Sequence, residues 1–147
     1  MLWAHINRDK KEWSFGNFYN AQASALAKGD WVAFDLGTQV DGNRTVQPIA
    51  NGLTAVVGVA IGAVPAGDYG RFQTYGYQAE ALVTNSTDQA ITAGDSLKAT
   101  ASADYLSWAA TGGAGSALQC AVAAEDVDTA AASLVAAALV KVIVKTL

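Results

Sequence analysis

The chain has 147 residues, 52% hydrophobic and 15% charged, which is enough apolar matter for one domain with a sizeable core and excludes a disordered tail or a solvated coiled coil. Nine basic against thirteen acidic residues leave a net charge of −4, and this argues against a nucleic-acid partner, because phosphate binding needs a concentrated positive field. The single cysteine, Cys120, has no partner for an internal bridge, and no apolar run reaches the ~20 residues of a membrane span, so the expectation is a soluble protein without disulfides.

Residues 1–20 concentrate Trp3, Trp13, Phe15, Phe18 and Tyr19 beside Arg8, Lys10 and Lys11. The order of charges and apolar residues is not that of a secretory signal. A free solvated tail is normally poor in aromatics. The segment therefore reads as an extended N-terminal arm that lies either against its own domain or against a neighbouring chain, ahead of a β-barrel-like domain at residues 21–147. The eight residues just named are the candidate interface residues, aromatic for anchoring in desolvated pockets and basic for meeting acidic groups.

From Ala27 onward, short apolar runs alternate with Gly, Asp, Asn and Pro, the pattern of strands and tight turns. Lys28-Gly29-Asp30 opens a strand at Trp31-Val32-Ala33-Phe34. Asp41-Gly42 then turns the chain into Arg44 to Ile49, giving a hairpin. Ala55 to Ile61 is a continuous apolar run, as expected of a strand buried on both faces. Tyr69 to Tyr77 alternates so that Tyr69, Arg71, Gln73, Tyr75 and Tyr77 share one face and Gly70, Phe72, Thr74 and Gly76 the other. Further strands are predicted at Glu80 to Thr84, Ser96 to Ala99, Tyr105 to Ala109, Ala117 to Ala124 and Leu139 to Thr146. Thr129 to Ala138 has helical propensity, so one short helix is allowed there.

Ala27-Lys28-Gly29-Asp30 is echoed by Thr92-Ala93-Gly94-Asp95, 94 − 29 = 65 positions later, and the following segments match loosely. Two similar β units would form two halves of one barrel or sandwich. The fold class expected is thus all-β, a compact small barrel or sandwich built from two such units.

Catalytic constellations are missing from the sequence pattern. His5 is the only histidine and lies in the arm, which disfavours metal sites with several imidazoles and Ser-His triads. Cys120 sits in an apolar run without a neighbouring base and reads as a core residue. Glu125-Asp126-Val127-Asp128 is the densest acidic cluster but lacks the spacing of a calcium loop, and Ala66 to Gly70 lacks the lysine of a phosphate cradle. No enzyme activity and no cofactor is expected.

With these elements placed, Val56-Val57-Gly58-Val59-Ala60 through Ala66-Gly67-Asp68-Tyr69-Gly70-Arg71-Phe72-Gln73-Thr74-Tyr75-Gly76 resembles a recurrent stretch of small tailed-phage head proteins. These are the capsid decoration (cement) proteins and related virion structural proteins. Leu26 to Ala33 and Ile91 to Leu97 extend the likeness over most of residues 26–147, while residues 1–20 have no counterpart. The resemblance implies a compact β-barrel or β-tulip, often a homotrimer, made in the host cytoplasm. It would be bound to the outer surface of the assembled shell, where subunits of the major capsid protein meet, and would stabilise the head without catalytic residues. The alternative left open is a carbohydrate- or receptor-binding β module on a virion, using the Tyr face or the acidic loop.

Overall fold

The computed structural model describes residues 12–37, 43–48, 55–84, 90–109, 119–127 and 137–146. They form nine strands: β1 (Ser14–Asn20), β2 (Trp31–Phe34), β3 (Arg44–Val46), β4 (Val56–Ala60), β5 (Tyr69–Thr84), β6 (Ser96–Ala99), β7 (Leu106–Trp108), β8 (Gln119–Ala123) and β9 (Ala138–Lys145). No helix occurs among the described residues, and the helical expectation falls almost wholly outside them, with Ala138 opening β9. The Asp41-Gly42 turn also lies outside them.

The sheet runs β1-β3-β2-β4-β5-β7-β6-β8-β9, and the extra pairings β1–β5 and β5–β9 close it into two five-stranded rings that share β5. Each ring repeats one plan. β1 runs parallel to β3 as β5 runs parallel to β7, and every other pairing is antiparallel. Every strand has a neighbour on either side, although some of the pairings, such as β1–β3 and β5–β7, extend over only two residues.

The repeat holds at the level of single residues. Gly29 and Gly94 both have positive φ (94° and 99°), and both donate their N–H at 2.9 Å, to the carbonyls of Ala60 and Ala123 respectively. Asp30 Oδ2 accepts the Ala27 N–H at 2.6 Å, as Asp95 Oδ2 accepts that of Thr92 at 2.8 Å. The registers Trp31↔Val59 and Val32↔Gly58 recur as Ser96↔Val122 and Leu97↔Ala121. Both ladders then skip one residue of the partner strand, Val57 in β4 and Cys120 in β8, so even the β-bulge is duplicated.

Two cores result. The smaller collects Val32, Val57, Ala60 and Phe72 with the bridge pair Leu26 and Val64, and Phe18 and Phe34 close over it. The larger joins Leu97, Leu106, Ala121, Val140, Val142 and Val144 to Trp31, Val56 and Val59 of the first ring. β4 is therefore buried at every residue, its sides feeding different cores, as its unbroken apolar run predicts. Where Trp31 and Val56 turn inward, their register counterparts Ser96 and Gln119 in the second ring are half-buried and exposed, so that outer face ends the stack in polar residues.

Two expectations need correction at their boundaries. Residues 14–20 take the first of the two placements open to the arm and lie against their own domain. They form β1, antiparallel to β5 from Ser14↔Tyr75 to Tyr19↔Tyr69 and parallel to β3, which makes the expected boundary at residue 20 internal to the first ring. Glu80 to Thr84 is not a separate strand but the second half of β5. Phe72, Thr74 and Gly76 are buried before a register shift between Gln78 and Ala81, and Ala81 and Val83 are buried after it. The bulge exchanges the two faces, as a one-residue slip must.

Asp30 is nearly inaccessible in the turn ahead of β2, and burial raises its carboxyl above the usual aspartate range. The Ala27 N–H opposes the rise and the charge of Asp104 adds to it. A raised carboxyl favours folding while protonated, and that contribution is lost as pH rises through the folded-state value. Between thermal melts at pH 4 and pH 7, the difference in Tm between Asp30→Asn and the native chain is expected to move in the variant's favour as pH rises.

Candidate interaction surface

The eight sequence-predicted residues do not form one surface. Trp3, Arg8, Lys10 and Lys11 lie outside the described residues. Phe18 packs edge-to-face on Phe34 and Phe72, both at 5.9 Å between centroids, and helps close the smaller core. Tyr19 meets Tyr69 edge-to-face at 5.4 Å, and the Arg44 guanidinium lies 5.2 Å from the Tyr19 ring centroid. Arg44 also reaches Asp35 Oδ2 at 3.5 Å, so this end of β1 is held by local contacts.

Trp13 and Phe15 stand at the other end of β1, roughly 17 Å away by strand rise. Trp13 is 50% exposed and meets Phe15 edge-to-face at 6.4 Å. The Arg71 guanidinium covers the Phe15 ring at 4.1 Å. Gly76 makes room for Trp13, since a Cβ at Gly76 would fall 2.2 Å from the Glu12 carbonyl oxygen and 2.9 Å from Trp13 Cδ1, and its φ of +98° suits glycine.

Between these rings and β5 opens a cleft of about 340 Å³ lined by Trp13, Phe15, Ile61, Gln73, Tyr77 and Gln78, with no charged side chain among its described lining. Gln73 breaks the exposed alternation of its face. It is 3% exposed because its amide nitrogen donates to the carbonyls of Tyr75 and Tyr77 at 3.1 and 3.0 Å. Tyr77 is 40% exposed and pairs across the ladder with Ile143, itself 40% exposed, which extends the apolar strip onto β9. A second depression of about 370 Å³ carries small and amide side chains such as Gln22, Ser24 and Gln47 and no aromatic ring among its described lining. Alternation had grouped Tyr75 and Tyr77. The contributions of Trp13 and Ile61, distant in sequence and joined only by ring closure, carried no local signal.

The remaining polar candidates are engaged structurally. Glu125 accepts the Lys141 N–H at 2.9 Å and meets its Nζ at 2.6 Å, and that side-chain hydrogen bond holds the Glu125 carboxyl below its usual range. Asp126 Oδ1 accepts the Ala93 N–H at 2.8 Å, while Asp128 lies outside the described residues. Burial pushes the Cys120 thiol up to about 11, an inert state because the thiolate is the nucleophile. Native protein at pH 8 is expected to react with an aromatic disulfide reagent at least about a hundredfold more slowly than guanidinium-unfolded protein. Equal rates in the two states would contradict this burial.

The class defined by this geometry is a closed all-β domain of two duplicated five-stranded rings with an aromatic cleft on its surface. The fold is similar to that in the crystal structure of the head fiber gp8.5 N base in bacteriophage phi29, with TM-score 0.51, 16% identity, and 92% of this chain and 96% of that one covered. The similar protein is thus a small phage head protein, the kind the sequence resemblance pointed to. No protein-family model and no curated protein matches the sequence.

Proposed function

We propose that the chain is a non-enzymatic structural protein of a phage virion, carried on the outer surface of the head and docked on assembled major capsid protein. The observation that supports this reading is the fold shared over nearly the whole of both chains with a phage head fiber base. The double ring suits such a part, because each described strand from β1 to β9 has a neighbour on either side, which limits the edge open to uncontrolled pairing. Docking is assigned to Trp3, Arg8, Lys10 and Lys11, which precede the first described residue, Glu12. A protein that binds only the assembled shell stabilises it by about 2.7 kcal/mol per site when its free concentration is a hundredfold above Kd. Homotrimerisation would bring three such segments to one locus and raise their effective concentration.

The test is cosedimentation of the purified chain with assembled heads bearing its cognate major capsid protein, with analytical ultracentrifugation for stoichiometry. Truncation has to stop short of β1: deleting residues 1–11 keeps every described strand of the first ring, whereas deleting 1–20 removes a strand that pairs with both β3 and β5. The 1–11 deletion is expected to weaken head binding about tenfold or more with the thermal transition unchanged. A monomer that ignores intact heads would end the proposal.

A further inference from the structure

From the cleft at the Trp13 end of β1 we infer that the first ring carries a binding site for a neutral saccharide, a role separate from attachment to the shell. Three aromatic side chains, Trp13, Phe15 and Tyr77, border one concavity, and two of them are substantially exposed, Trp13 at 50% and Tyr77 at 40%. Large aromatics left in water at the wall of a cleft offer flat apolar faces against which the C–H face of a pyranose ring can lie. The cleft also holds amide groups that suit sugar hydroxyls. Gln73 lines the cleft though it is only 3% exposed, and its amide nitrogen is committed to two main-chain carbonyls, so Oε1 is the polar atom of that amide not engaged by those bonds. Gln78 adds a second amide at the rim.

The described lining favours an uncharged ligand. No Asp, Glu, Lys or Arg appears in it, and the Arg71 guanidinium close by is stacked on the Phe15 ring. A charged ligand would find no opposite charge in the described lining, whereas a polyhydroxylated neutral ring needs none. Size is compatible: about 340 Å³ lies at the small end of the range of small-molecule pockets. The site is held rigidly, because Trp13 is seated over Gly76 and the Gln73 amide is fixed by its two hydrogen bonds. That preorganisation limits the entropy lost on binding.

Saturation-transfer NMR on the full chain tests the site against methyl glucoside, methyl galactoside, N-acetylglucosamine and cellobiose, with glucose 6-phosphate as the charged control. At least one neutral sugar is expected to receive saturation at about 10 mM or below, and Trp13→Ala and Tyr77→Ala each to weaken it about tenfold or more. Both side chains are exposed enough for the variants to keep the native melting transition. Tyr77→Ala is expected to bind heads as the native chain does, whereas the 1–11 deletion weakens head binding and keeps the sugar, so the two functions fail separately. Four results would overturn the site: silence of all four neutral sugars, tighter binding of the phosphorylated one, retention by the Trp13→Ala/Tyr77→Ala double variant, or binding that emerges only once residues 1–11 are removed. The last would assign the cleft to the chain's own N-terminal residues.

Discussion

Trp31→Ala is expected to lower stability by about 3–5 kcal/mol and to melt both rings in a single transition. Trp31 is completely buried, and it belongs to β2 of the first ring while packing in the core of the second. Its removal leaves a cavity where the rings meet and orphans the Leu82 carbonyl, which accepts the indole N–H at 3.1 Å. A domain of this size is stable by only ~5–15 kcal/mol, so the loss is a large share of the total. The expected fall in Tm is roughly 10–20 °C. Trp31→Phe, which keeps part of the volume and loses the N–H donor, is expected to fall between the two. Differential scanning calorimetry with circular dichroism checks the single transition. Two separate steps, with the second ring outlasting the first, would show that the larger core does not couple them.

The same tryptophan explains how much of the fold could be read from sequence. The Gly-Asp turns were legible because positive φ at Gly29 and Gly94 and carboxylate caps at Asp30 and Asp95 leave a local signature. β4 was legible because five consecutive buried residues demand an unbroken apolar run. The duplication was faint for a physical reason. Equivalent positions face a partner ring in one unit and solvent in the other, so Trp31 corresponds to Ser96 and Val56 to Gln119, and burial rather than backbone plan decides the residue type.

What escaped reading depended on long-range pairing. β1 carries Phe15, Phe18 and Tyr19 at spacings that do not alternate, and nothing local says that Phe18 enters a core while Phe15 stays at the surface under Arg71. The bulge after Gln78 looks in sequence like a strand end, because the hydrophobic phase changes there. For the candidate site, the tyrosine face was visible by alternation, but the cleft needs residues from β1, β5 and the segment after β4, and only ring closure assembles them.

Gly58→Val is expected to prevent folding of the first ring or to cost more than about 3 kcal/mol, and Gly58→Ala to cost nearly as much. A Cβ built at Gly58 lies 2.3 Å from the Gln73 carbonyl oxygen and 3.0 Å from its carbon, both main-chain atoms that cannot rotate away. Relief would require β4 to separate from β5, yet the next residue, Val59, pairs with Gln73 itself, and β5 at that point is also paired with Phe15 of β1. Any displacement therefore opens the ring at two seams. Ala121 holds the equivalent register position in the second ring, opposite Leu97 as Gly58 is opposite Val32, and there a methyl group is already buried. Ala121→Gly is accordingly expected to cost only about 1 kcal/mol, from a lost methyl and a freer unfolded chain. Soluble yield and thermal melting of the two reciprocal variants separate the expectations. If Gly58→Ala melted within a few degrees of the native protein, the close approach of β4 to β5, and with it closure of the first ring, would have to be abandoned.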